Sequence, residues 1–178
     1  RPIDNCKRYN SYYYKYWKVS NHMSTLSVDT ITGQTAAANV KFPAGSVLQV
    51  VNATKSGAVA SSSQSGYTDT GLTATITPKY SSSKIFVTFS QAGCSANNSG
   101  TDIDLRLLRG STNLADLAGL MLEGVTPGNI TMASHWLDSP STTSATTYKT
   151  QFRIGDDAGT VTVQYYGISV MTLMEISV

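Results

Sequence analysis

Apolar and polar residues alternate one by one along much of the chain after Pro43. The alternation is clearest in 72–76, 85–89, 103–107, 148–154 and 161–165. This pattern is typical of β-strands that bury one face. Clusters of Ser, Gly, Asn and Pro separate the stretches, as expected for turns. The sequence therefore predicts an all-β protein of about eight or nine antiparallel strands in a sandwich or barrel.

One stretch, LADLAGLMLEG at 114–124, fits this pattern poorly. Its large apolar side chains fall at the spacing of one helix face, at Leu114, Leu117, Leu120 and Met121. Periodicity alone does not separate a helix from a strand in such a short apolar run. A short helical turn and a strand remain alternatives here.

The last predicted strand, 168–178, is apolar on both of its faces. A strand in a sandwich usually has one face in water unless another layer covers it. We expect sister copies of the chain to cover the second face, although burial between the chain's own layers also explains the pattern. The predicted subunit interface comprises Val170, Met171, Leu173, Met174 and Ile176.

The composition supports a β-rich protein with an uncharged surface. Only 13% of the 178 residues are charged, whereas the chain contains 23 serines and 23 threonines. Hydroxyl side chains solvate a surface without charge, and the branched Cβ of threonine favours extended backbone. No apolar run approaches the roughly 18 residues that span a membrane, so we expect no membrane contact. Cys6 and Cys94 are far apart in sequence, and we expect two separate thiols.

The first 22 residues differ in composition from the rest of the chain. They carry five basic side chains, one acidic side chain and five of the ten tyrosines. Such a segment suits protein docking, nucleic-acid binding or no function beyond an incidental extension. We expect docking on another protein of the same particle and no nucleic acid. The predicted docking residues are Tyr9, Tyr12, Tyr13, Tyr14, Tyr16 and Trp17.

A Pro-Ala-Gly-Ser turn at 43–46 directly precedes a β-branched run. Pro43 fixes its own φ and Gly45 permits a reversal, so the chain enters the first strand at a set angle. The predicted organisation is an extended N-terminal arm (1–22), a connector (23–42) and a β-sandwich head (43–178).

The sequence contains few candidate catalytic or ligand-binding motifs. The chain lacks the nucleophile-elbow, zinc-protease, phosphate-loop and dinucleotide motifs. His22 and His135 lie away from other candidate catalytic groups. Asp102 and Asp104 share one face of a predicted strand. There they could bind a cation or, more simply, form ion pairs with Arg106 on the solvent-exposed face. We therefore expect no enzymatic activity, no cofactor and no metal.

Four segments carry a resemblance to a known family: MSTLSVDTITGQTAAANVKFPAGSVLQVV (23–51), GYTDTGLTATITPKYSSSKIFVTFS (66–90), LRLLRGSTNL (105–114) and VMTLMEI (170–176). In order and spacing they resemble small virion structural proteins of tailed bacteriophages, especially marine and cyanobacterial phages. The likeness covers about residues 23–178 and leaves out the arm. It implies a jelly-roll-like β-sandwich, often a homotrimer like the C1q and tumour-necrosis-factor heads, without catalytic residues.

The expected function is that of a non-enzymatic virion protein. It would be a trimeric fibre or spike head on the particle surface, docked by its N-terminal arm on another virion protein. One alternative is a capsid decoration (cement) protein that bridges capsomers. Another is an adhesin that binds a host-surface glycan, which exposed Tyr67, Tyr80 or Trp136 in a groove between loops would favour.

Overall fold

The computed structural model describes residues 42–98, 100–121, 130–155 and 159–178, and these residues form strands, turns and loops without a helix. The strands are β1 (Val47–Lys55), β2 (Val59–Ser61), β3 (Thr68–Ile76), β4 (Lys84–Ala96), β5 (Asp102–Arg109), β6 (Thr112–Met121), β7 (Ile130–Asp138), β8 (Thr146–Ile154), β9 (Val161–Val163) and β10 (Ser169–Ile176).

The strands form two antiparallel sheets that pack face to face. The first has the main order β1-β10-β4-β7, and the short strands β9 and β2 continue it beyond the far end of β4. The second has the order β3-β8-β5-β6. Neighbours in each sheet are mostly distant in sequence, so the chain crosses repeatedly between the sheets as in a jelly roll. The structure confirms the predicted fold class, an all-β, jelly-roll-like antiparallel sandwich.

The alternating residues supply the core between the sheets. Leu72, Ala74 and Ile76 of β3 are buried, while the threonines between them are exposed. Ile103, Leu105 and Leu107 of β5 are buried in the same way. Successive side chains of a strand point to opposite faces, which is why the period-two pattern located these core residues correctly.

The structure decides two local questions that the sequence raised, one at 114–124 and one at 161–165. Residues 112–121 form strand β6, so the strand alternative holds at Leu114 and Leu117. The alternation at 161–165 predicted a strand continuing to Tyr165. Strand β9 instead ends at Val163, and Tyr165 is exposed, because the backbone turns left-handed at Gln164 with φ = 55°.

The turn before β1 is tied to the end of β10. Gly45 has φ = 84°, which a glycine adopts without strain, and its N–H donates to Ser177 O at 2.8 Å. The Ser177 N–H donates in turn to Ser46 O at 2.9 Å. The chain therefore enters the sandwich at a fixed place, beside the end of β10.

Glu175 is a buried carboxylate at this same end of the sandwich. It accepts hydrogen bonds from Gln49 Nε2 at 2.6 Å and from Lys79 N at 2.8 Å. Burial by itself raises the pKa of Glu175, but these hydrogen bonds outweigh it and the pKa is lowered. The carboxylate thus joins β10 to β1 and to the loop that follows β3.

The predicted arm (1–22) and almost all of the connector lie outside the described residues. The proposed boundaries between arm, connector and head therefore stay predictions. Cys94 is a free, buried thiol on β4, while Cys6 lies outside the described residues.

Candidate assembly surface

An apolar row crosses the outer face of the first sheet. Val50 of β1 lies opposite Met174 of β10, Met174 lies opposite Phe86 of β4, and Phe86 lies opposite Leu137 of β7. Residues directly opposite each other on antiparallel strands share a face, so their side chains form one line across four strands. We call Val50, Met174, Phe86 and Leu137 the apolar row.

The apolar row is accessible to a partner. Val50 and Leu137, at its two ends, are 55% and 51% exposed, and the two central side chains are half-buried. The next pair along the sheet, Val47 and Ile176, extends the apolar surface toward the end where the chain enters. Strands lie about 4.8 Å apart, so the row is about 14 Å long.

The structure divides the predicted subunit interface into two halves. Val170, Met174 and Ile176 lie on the outer face of β10, where contact with a partner stays a prediction. Met171 and Leu173 face the other sheet and are fully buried, so their assignment to the interface is wrong. The inward apolar face of β10 thus belongs to the chain's own core, and its outward apolar face is the one left for a partner.

Sequence reasoning missed Val50, Phe86 and Leu137 as parts of this surface. Each belongs to a different strand, and only the register of the sheet places them beside Met174. Phe86 did carry a signal, because it is a large apolar side chain at an outward position of an alternating strand.

The rest of this outer face is polar and nearly uncharged. Asn52 Nδ2 donates to Thr172 Oγ1 at 2.9 Å on the rung beside the apolar row. His135 occupies the same rung at the edge strand, 5.8 Å from the Phe86 ring. Of the outward side chains described on the four main strands, Lys84 alone carries a full charge. An uncharged face with an apolar row is inexpensive to desolvate.

The outer face of the second sheet has the opposite character. Lys149 pairs with Asp69 at 2.9 Å, and Arg153 pairs with Asp104 at 2.9 Å. Burial by itself raises the pKa of Asp69, but its hydrogen bonds with Lys149 and Gln151 outweigh it and the pKa is lowered. These charged side chains form ion pairs with one another, as expected for a face in contact with water.

One member of the acidic pair on β5, Asp104, takes part in this charged network. Asp104 pairs with Arg153 on β8, whereas Arg106 donates to Gln151 Oε1 at 2.8 Å. The sequence had suggested Arg106 as the partner of the two aspartates. In the part of the chain that the structure describes, no three His, Cys, Asp or Glu side chains cluster as metal ligands do.

The three aromatic residues considered for glycan binding lie in separate places. The Arg106 guanidinium covers the Tyr67 ring, 3.8 Å from its centroid. Tyr80 lines a shallow pocket with Phe42 and Val178, near the entry of the chain. Trp136 is 40% exposed on the edge strand β7. Among the described loops, these residues do not share one groove.

The docking residues predicted in the arm, from Tyr9 to Trp17, lie outside the described residues. No helix in the described ranges has the length and apolar character needed to cross a membrane.

No protein-family model and no curated protein matches the chain. Among solved structures, the chain is similar to the infectious bursal disease virus VP2 subviral particle, with a TM-score of 0.42 and 12% identity over 74% of this chain. Its similarity to the T13 particle of that virus has a TM-score of 0.43 and 11% identity over 75% of this chain. The chain spans only 39% and 36% of those two viral chains. Likeness at this level does not bear on function.

Proposed function

We propose that this chain is a non-enzymatic structural protein of a bacteriophage particle. It forms the head of a fibre or spike, assembles as a homotrimer and is attached to the particle by its N-terminal arm. The observation that carries the proposal is the apolar row, Val50, Met174, Phe86 and Leu137, on the outer face of the first sheet.

The contrast between the two outer faces supports assembly through the first sheet. Covering the charged second face would desolvate ion pairs, which costs free energy unless a partner replaces each contact. Covering the first face removes apolar side chains and uncharged hydroxyl groups from water. Burial of apolar surface contributes about 25 cal/mol per Å², so a sister copy gains most by contacting the first face.

The position of the chain entry supports attachment by the arm. Phe42 leads directly into the turn that is hydrogen-bonded to Ser177 at the end of β10. The described chain therefore begins at one defined end of the head. The first 22 residues of the sequence have a net charge of +4 and five tyrosines, a composition that suits docking on another protein.

The assignment to a phage particle is supported by the sequence. The low charge and the many hydroxyl side chains are common in virion proteins, and the four segments described above resemble phage structural proteins.

Measurement of mass in solution tests the assembly. We expect mass photometry to give three times the 19.0 kDa mass of the chain. The double variant Val50→Lys/Leu137→Lys introduces charges at two exposed positions and should give monomers that retain the circular dichroism of a β-protein. The matched control, Thr73→Lys/Thr75→Lys, places the same charges on exposed positions of the second sheet and should remain trimeric.

Two results would contradict the proposal. One is a monomeric wild-type protein at micromolar concentration. The other is a folded Val50→Lys/Leu137→Lys variant that keeps the full trimer mass.

A further inference from the structure

A small aromatic projection lies between β9 and β10. Tyr166 and Ile168 are 68% and 60% exposed, and Tyr165 is also exposed. The two tyrosine rings meet nearly edge to face, with centroids 4.4 Å apart and an interplanar angle of 68°. A hydrogen bond between their phenol groups raises the pKa of Tyr166. We call Tyr165, Tyr166 and Ile168 the tyrosine tip.

The backbone holds the tyrosine tip in a fixed conformation. Gln164 N donates to Ala92 O at 2.8 Å, and Tyr165 N donates to Gly93 O at 3.1 Å. Gln164 has a positive φ of 55° and a buried side chain that donates to Ser169 Oγ at 3.1 Å. A non-glycine residue in this conformation is strained, and such strain persists only where the surrounding contacts impose it.

Gly93 makes room for this arrangement. A Cβ at this position would lie 2.7 Å from Tyr165 N and 2.8 Å from Tyr166 N. The β4 backbone can therefore approach the tyrosines this closely only without a side chain. Two aromatic rings are thus exposed on a rigid support, which reduces the entropy lost when they bind a ligand.

The tyrosine tip lies at the far end of the head from the chain entry. Ser169, directly after the tip, pairs with Lys55, whereas Ile176 pairs with Val47 near the entry turn. Ser169 and Ile176 are seven positions apart along strand β10, a distance of about 23 Å. A head attached through its arm would expose the tip to the outside.

The size and charge of the tyrosine tip restrict what it can bind. Its exposed area is on the order of 300 Å², well below the roughly 800 Å² per partner of a stable protein interface. The tyrosine tip contains no charged side chain. Lys55, which pairs with the adjacent Ser169, donates hydrogen bonds from its ammonium group to the Ser56 and Gly57 carbonyls. A small, neutral ligand with apolar C–H faces and hydroxyl groups matches two adjoining phenol rings.

We propose that the tyrosine tip binds a neutral pyranose ring of a surface glycan. The C–H face of the sugar packs on one ring, and its hydroxyl groups bond to the phenol oxygens. This inference rests on the proposed function only for the source of the glycan, a host-cell surface.

Saturation-transfer NMR with methyl β-glucopyranoside, methyl α-mannopyranoside and methyl β-galactopyranoside tests the inference. We expect transfer to the ring protons of at least one glycoside in the wild-type protein. The double variant Tyr165→Ala/Tyr166→Ala should lose at least about 80% of that transfer, the loss expected when both stacking surfaces are removed. Tyr166→Phe keeps the ring and should retain most of the transfer.

The control is Trp136→Ala, which removes an exposed aromatic side chain elsewhere and should leave the transfer unchanged. The inference is overturned by no transfer from the wild-type protein to any of the three glycosides. It is also overturned by equal transfer in the folded double variant, or by a lower oligomer mass of that variant, which would assign the tip to contact between copies. Mass photometry on the same samples separates this inference from the proposed function, because a monomer that binds sugar contradicts only the latter.

Discussion

The Tyr148 hydroxyl on β8 donates a 2.7 Å hydrogen bond to Asp138 Oδ2 at the end of β7, joining the two sheets. Tyr148 is fully buried, and the same carboxylate accepts from Arg109 Nη1 at 2.7 and 2.8 Å. Burial and the Asp138 carboxylate both raise the pKa of Tyr148. The hydroxyl is therefore protonated and available as a donor at neutral pH.

Removal of the Asp138 carboxylate should destabilise the protein strongly. Asp138→Ala leaves a buried hydroxyl and a partly buried guanidinium without their acceptor, so we expect a loss of about 2–4 kcal/mol in the free energy of unfolding. Urea denaturation measures this loss. Asp69→Ala is the control. Because Asp69 forms an exposed ion pair, this substitution should lower the free energy of unfolding by less than about 1 kcal/mol. Equal losses in the two variants would contradict the prediction.

Ser169 is the centre of a buried polar network. Its Oγ accepts hydrogen bonds from Gln91 Nε2 at 2.9 Å, Ala92 N at 3.0 Å and Gln164 Nε2 at 3.1 Å. Ser169→Ala leaves these donors without that acceptor, and we expect a loss of about 2–4 kcal/mol. Thr172→Ala, on the outer face of the same strand, should change stability by less than about 1 kcal/mol. A Ser169→Ala melting temperature equal to that of the wild type would refute this role.

Gly93 and Gly110 form a matched pair, with φ of 59° and 57°. Alanine is strained in this conformation at either site, which costs about 1 kcal/mol. A Cβ at Gly110 meets nothing within 4 Å, whereas one at Gly93 collides with the backbone of the tyrosine tip. Gly93→Ala should therefore lower stability by about 1–3 kcal/mol more than Gly110→Ala. Comparison of their denaturation midpoints checks the difference, and similar midpoints would show that the tip yields easily.

Cys94 should make stability depend on pH in the alkaline range. Burial raises the pKa of its thiol from 9.0 to about 11. Between these values the unfolded chain loses a proton that the folded chain keeps, so the free energy of unfolding falls as pH rises, by about 2–3 kcal/mol in total. Denaturation at several pH values in a Cys6→Ser background measures the slope. Cys94→Ala should have a shallower slope, and an unchanged slope would rule out the thiol as its cause.

The sequence predicted the strands with strict alternation most accurately. In β3 and β5 the alternating apolar side chains could be assigned correctly to the core, because the period of two is set by backbone geometry within the strand. The prediction was less accurate at β6, because Leu114 and Leu117 are three residues apart, which fits the helical period and not the strand period. Tertiary pairing with β5, in an irregular register, selects the strand. The prediction was wrong at Tyr165, since the backbone of Gln164 and Tyr165 is hydrogen-bonded to the distant strand β4, which local sequence does not reveal.

For the assembly surface, the sequence identified β10 but not its neighbours. It could not distinguish the core residues Met171 and Leu173 from the outward Met174, because the segments that bury one face of β10 are distant in sequence. The tyrosine tip was missed altogether: Tyr165 looked like the end of a strand, whereas hydrogen bonds to Ala92 and Gly93 of the distant strand β4 hold the turn at Gln164 and Tyr165.

Local sequence by itself determined the all-β class, the strand positions and the buried side of most strands, because each follows from alternation over a few adjacent residues. Only the tertiary structure decided which strands are neighbours and in what register. Pairing in a jelly roll joins residues far apart in the chain, such as Val50 and Met174, and local periodicity contains no information about such distant partners. The apolar row and the tyrosine tip both arise from that long-range pairing.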